Sequence, residues 1–192
     1  MLRSHIRTPR LATAVALASL VFAAGASPAR AQTTITKETA AAVKAAFSAD
    51  IDNLQQKFVG LAQAFPQDKY TWRPMDGVRS VSEVLVLAAR EGYGFIPSGF
   101  GGKPGLAGDE MTKLNTLTDK AQIIEHLNKA FAHAKKEVDA ADPATLTGSR
   151  KMMGRDLTTP QVAVFIGGDL HEHLGQLIAY ARMNHIVPPW SK

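Results

Sequence analysis

Asp169 and His173 are the residues whose types and spacing point most directly to chemistry. They stand one helical turn apart in the stretch GDLHEHLGQLIAY, which runs from Gly168 to Tyr180. At 100° per residue from Val162, the side chains of Val162, Ile166, Asp169, His173, Leu177 and Tyr180 fall within about 60° of one direction. A carboxylate and an imidazole therefore interrupt an apolar stripe, where a polar group without a partner is costly to bury. Three arrangements would satisfy them. The two can pair with each other as a structural unit, completed by a tyrosine or a backbone carbonyl. They can bind a divalent metal with a further ligand from another helix. His173 can also act as a general base oriented by Asp169. Gln176 lies at the margin of the same face, whereas His171 points almost the opposite way and is expected to be solvated.

The remaining chemistry-bearing residues carry weaker signals. His126 and His133 share a side of their helix near its polar edge and read as surface histidines. Arg150, Lys151 and Arg155 form a small basic cluster expected to be solvent exposed. The segment from Ser98 to Asp109 is rich in glycine and reads as a flexible loop without the spacing of a phosphate-binding loop. The chain has no cysteine, which excludes disulfides, thiolate metal sites and cysteine nucleophiles.

Four helical patterns must position these groups. From Thr39 to Phe65, the residues Val43, Phe47, Ile51, Leu54, Phe58, Leu61 and Phe65 recur every three or four positions, and Pro66 stops the pattern. Ser80 with Glu83 forms a capping-box pattern that opens a second helix. That helix is apolar almost all round from Val84 to Ala89, and it is expected to end before Pro97. A third spans Asp119 to Ala140, with Ile123, Leu127, Ala130, Phe131, Ala134 and Val138 on one face. The fourth runs from Thr159 to about His185, with Thr159 as N-cap and Pro160 first in the helix. Trp72 and Trp190 are expected to seal the ends. No alternating run supports a strand, so the pattern predicts an all-α, four-helix bundle in a single domain over residues 32–192.

Residues 1–31 read as a secretory signal peptide: Arg3, Arg7 and Arg10, an apolar run from Leu11 to Ala24, and the small-x-small triplet Ala29-Arg30-Ala31. Its removal takes four arginines from 22 basic residues, leaving 18 against 17 acidic ones. The near-neutral remainder gives no electrostatic warrant for nucleic-acid binding. The expectation is an exported protein, periplasmic or secreted, with no membrane association once the signal is removed.

Several motifs together resemble the DinB-like family, also called DinB/YfiT-like putative metalloenzymes. They are the His-Glu-His-x-Gly-Gln core from His171 to Gln176, the Ile-Val-Pro-Pro ending from Ile186 to Pro189, Tyr70-x-Trp72-x-Pro74, Arg79-Ser80-Val81, Tyr93 and Gly154-Arg155. The resemblance implies a four-helix bundle, commonly a homodimer, that binds nickel, zinc or iron through three histidines. Two of those histidines come from the last helix and one from the second. Here the last-helix positions are Asp169 and His173, and the second-helix position falls at Leu87, which cannot bind metal. The resemblance so modified implies a degenerate member that binds a small ligand or partner without a three-histidine site, in a pocket near Tyr93, Gln176 and Tyr180. The alternatives are a metal-dependent hydrolase or thiol transferase using Asp169 and His173, and a structural dimer without a pocket.

Overall fold

The computed structural model describes residues 34–191, so the proposed signal peptide lies outside the described residues. The described chain is mostly helical. Helix α1 (Lys37–Ala64) opens at Thr36, whose hydroxyl accepts a hydrogen bond from the Thr39 amide at 3.1 Å. It buries Phe47, Ile51, Leu54, Phe58 and Leu61, the stripe expected from their spacing. Pro66 ends it, and a short turn brings Tyr70 back against it, where the Tyr70 hydroxyl donates to the Ala62 carbonyl at 2.7 Å.

Helix α2 (Val81–Arg90) starts with the expected capping box. The Ser80 amide donates to Glu83 Oε2 at 2.6 Å, and the Glu83 amide donates to Ser80 Oγ at 3.3 Å. The helix does not stop before Pro97. It widens into one π turn over Glu91–Phe95, in which the Ile96 amide reaches the Glu91 carbonyl, and then continues as α3 (Ile96–Gly99). Pro97 has no N–H to offer the Tyr93 carbonyl four residues back. That carbonyl instead accepts from the Gly105 amide at 2.8 Å, so the chain folds over without orphaning it.

The glycine-rich segment after α3 is held against the body at several points. The Lys103 amide donates to Glu137 Oε2 at 2.9 Å, and His133 Nε2 lies 2.8 Å from the Lys103 carbonyl. A Cβ on Gly105 would stand 2.8 Å from both His133 and Tyr93, so this glycine permits a close approach. The short α4 (Gly108–Lys113) follows, then α5 (Lys120–Ala140), capped by Asp119. Two short strands, β1 (Arg150–Met152) and β2 (Arg155–Leu157), pair antiparallel where no strand was expected. Three residues per strand are too few for an alternating pattern to register. Arg150 is half-buried rather than solvated, and its Nη2 donates to the Thr145 carbonyl. Arg155 is exposed and lies over the Phe165 ring.

Helix α6 (Thr159–Met183) begins one residue earlier than the pattern suggested. Thr158 is the N-cap, its amide donating to Gln161 Oε1 at 2.9 Å. Thr159 is instead fully buried and donates its hydroxyl to the Leu146 carbonyl. Helices α1 and α2 each pack against both α5 and α6. The core between them includes Ile51, Phe58, Leu85, Ala88, Leu127, Phe131, Ile166 and Leu177, all fully buried. Burying side chains of this kind stabilises the fold by roughly 1.5–3 kcal/mol each before entropy is counted. Among the described residues no helix is long and apolar enough to cross a membrane.

Candidate metal centre

Asp169 and His173 lie on α6 as their spacing required, and a third group joins them from the π turn that continues α2. It is Glu91, at the first position of the π turn. His173 Nε2 stands 3.5 Å from Glu91 Oε1 and 3.8 Å from Asp169 Oδ1. One donor atom from each of the three lies within 4.8 Å of the others. Bonds of about 2.0–2.2 Å to a tetrahedral ion place its ligands about 3.3–3.6 Å apart, so modest side-chain adjustment closes the set.

Burial grades across the three. The side chain of Glu91 is 8% exposed, that of His173 13% and that of Asp169 37%. Glu91 is held by its neighbours. The next residue, Gly92, backs onto α5, where an added Cβ would lie 2.9 Å from the Ala130 carbonyl carbon. Burial raises the Glu91 carboxyl above the usual carboxylate range, and the Asp169 charge adds to the rise, against the lowering effect of His173. His173 is also raised, first by its polar contact with Glu91, while burial and the Arg79 charge oppose the shift. Both groups therefore hold protons more tightly than they would in water.

The donor set fits a divalent ion. Two carboxylates and a neutral imidazole carry two negative charges, which one such ion balances. Glu91 Oε2 is buried and accepts no hydrogen bond. A buried carboxylate oxygen without a donor is costly, and a metal ion would satisfy it.

The resemblance implied a helix-two ligand position at Leu87; the carboxylate that stands near Asp169 and His173 is Glu91, one turn further along. Leu87 lines the cleft beside Glu91 and Asp169 and forms an apolar wall there. The sequence carried a signal for Glu91: a lone carboxylate at the end of the most apolar helix. Counting ligand positions only around Leu87 missed it.

The residues expected to line a pocket, Tyr93, Gln176 and Tyr180, are not among those that line the cleft beside Glu91 and Asp169, and they and the others singled out have partners of their own. Tyr93 is buried, with its hydroxyl 3.2 Å from His126 Nδ1 and its ring tilted against His133. Both histidines are therefore half-buried partners of Tyr93 rather than free surface groups. Gln176 Nε2 donates to the Tyr180 hydroxyl at 2.7 Å, and that hydroxyl donates to the Arg79 carbonyl at 2.9 Å. This relay ties α6 to the entry of α2. Trp72 packs edge-on against Tyr180, and Trp190 covers Gly60. His171 is exposed but not alone: its Nε2 lies 3.0 Å from Asp50 Oδ2 on α1.

The class these observations define is a helical protein whose cation-seeking cluster joins a π turn in the second helix to the last helix. The family model of the DinB superfamily matches residues 50–177, a stretch that contains Glu91, Asp169 and His173, and the chain belongs to that superfamily. No curated protein and no solved structure matches it.

Proposed function

We infer that this protein holds one divalent metal ion through Glu91, Asp169 and His173, within a four-helix bundle formed by α1, α2, α5 and α6. The observation that carries the reading is the buried Glu91 Oε2, which lacks a donor beside two further metal-type ligands. The three-histidine set implied by the family resemblance is replaced by two carboxylates and one histidine. Such a mixed set suits zinc, iron, nickel and manganese. When bound, the ion supplies Lewis acidity at the mouth of the cleft, the chemistry of a metal-dependent hydrolase or thiol transferase.

The chain's own residues set the terms of that chemistry. Glu91 and His173 anchor from the buried side, and Asp169 sits at the open edge. Leu87, Phe95 and Met111 line the adjoining open cleft of about 600 Å³ with apolar surface. Protons compete with metal for Glu91 and His173, so metal uptake strengthens as pH rises.

Export through a signal peptide ending at Ala31 rests on the N-terminal sequence, and N-terminal sequencing of the exported protein reads it. Assembly as a homodimer rests on the family resemblance and is read by light scattering of the purified protein.

The decisive experiment is metal content of protein purified without a histidine tag and offered nickel, zinc, iron and manganese in turn. Near-stoichiometric metal, lost in His173→Ala and in Glu91→Ala, is the expected result. No metal above background in a protein with intact helical circular dichroism would sink the reading and return the cluster to a structural role.

A further inference from the structure

A second cleft of about 400 Å³ adjoins the metal centre and has a different character. It shares Leu87 and Arg90 with the cleft that Glu91 and Asp169 line. Three arginines border it, and they are not equivalent. Arg73 is spent on structure: its Nη1 donates to the Val78 carbonyl at 2.8 Å, and its Nη2 pairs with Glu83 at 3.1 Å. Arg79 and Arg90 form no ion pair and no side-chain hydrogen bond among the described residues. Arg90 is half-buried, and its Nε is sealed from solvent without an acceptor.

A guanidinium N–H shut off from water without an acceptor carries a desolvation cost. Glu83, the acid bordering the cleft, is already engaged by Arg73 and by the Ser80 amide. The cleft therefore presents two guanidinium groups that form no ion pair of their own. Its remaining wall includes Val86 and Leu87, so it also offers apolar contact. The Gln176–Tyr180 relay ends on the Arg79 carbonyl and fixes the backbone that carries one of the two free guanidinium groups. Guanidinium forks are matched geometrically to carboxylate and phosphate oxygens.

We propose that Arg79 and Arg90 bind the oxyanion of a small molecule, a carboxylate or a phosphate, whose body lies along Leu87 toward Glu91, Asp169 and His173. The approach to the metal rests on the preceding reading; the arginine cleft stands without it. The ligand class is thus a small anion with a short apolar body. The charges divide accordingly: the acidic cluster takes the cation, and the arginines take the substrate anion.

The test is calorimetric titration of the whole protein at low ionic strength, metal-stripped and zinc-supplemented, with inorganic phosphate, succinate and the uncharged succinamide. The metal-stripped protein should bind phosphate or succinate saturably and succinamide not at all. The stronger of the two anions identifies the oxyanion. Arg90→Gln and Arg79→Gln should each weaken binding about tenfold or more, the loss of a charge-assisted hydrogen bond. Melting temperature should stay at the wild-type level in the exposed-site variant Arg79→Gln, which separates binding from folding. Failure of the metal reading alone would show as no zinc uptake with anion binding intact. The proposal is overturned if neither anion saturates, if both arginine variants bind as wild type, or if binding requires zinc and ignores the arginines.

Discussion

Two histidines two residues apart on α6 meet carboxylates in opposite settings. His171 meets Asp50 across the α1–α6 surface at 3.0 Å, with its side chain 45% exposed. His173 meets Glu91 at 3.5 Å and Asp169 at 3.8 Å, almost out of contact with water. The residue types are the same, and the outer contact is the shorter. The difference lies in what surrounds them. At the surface, water and salt screen the pair, and such contacts are worth from nothing to about 1 kcal/mol. Inside, two carboxylates face one imidazole, and Glu91 and His173 are largely shut off from water, so their charges are screened less. Distance alone does not rank a polar contact; burial and the balance of charge do.

That contrast can be broken from the inside first. Glu91→Leu removes the buried ligand and fills its place with a side chain of similar size. Bound metal should fall to background, while the metal-free protein keeps its stability or gains a little, because one of the two carboxylates crowded against His173 is gone and Asp169 remains to pair with it. Thermal melts with and without zinc check this, and a Glu91→Leu variant that melts lower without metal would show that the cluster is structural. Gly92→Ala acts on the support rather than the ligand. Its methyl would meet the Ala130 backbone at 2.9 Å, a contact that a rotamer change cannot relieve. Overpacking of this kind costs about 1–3 kcal/mol, and it should also weaken zinc uptake by displacing Glu91. Chemical denaturation and metal titration read the two effects separately.

The outer pair should respond much less. His171→Ala is expected to lower stability by less than about 1 kcal/mol and to leave metal content unchanged. A large loss of zinc in that variant would erase the distinction between the two histidines. The smallest effect belongs to another surface carboxylate, Asp139. A hydrogen bond from Ser48 at 2.6 Å, then Lys135, holds its carboxyl below the usual aspartate range. A depressed folded value means the contribution is present above the unfolded value and is lost as pH falls through the folded one. The melting difference between wild type and Asp139→Asn should therefore shrink below about pH 4, near the ordinary aspartate value.

Much of this architecture is written in local patterns. The stripe from Phe47 to Phe65, the Ser80–Glu83 capping box, the Asp119 start of α5 and the inward placing of Asp169 and His173 all follow from helical periodicity and capping chemistry. These are short-range rules, because a helix relates residues three and four apart whatever the rest of the chain does. The helical class and the presence of a polar cluster on the last helix could be read without coordinates.

The third member of the cluster and the partners of the arginines were decided only in the folded chain. Glu91 enters the cluster at the start of the π turn over Glu91–Phe95, and the Tyr93 carbonyl that Pro97 cannot serve is satisfied by the Gly105 amide from the following segment. Arg73 and Arg90 differ because one finds Val78 and Glu83 while the other finds no acceptor, although both are arginines on the edge of one cleft. Periodicity reports the side of a helix on which a residue lies. It does not report what stands opposite, and whether a buried charge is paired depends on atoms brought together from distant parts of the chain.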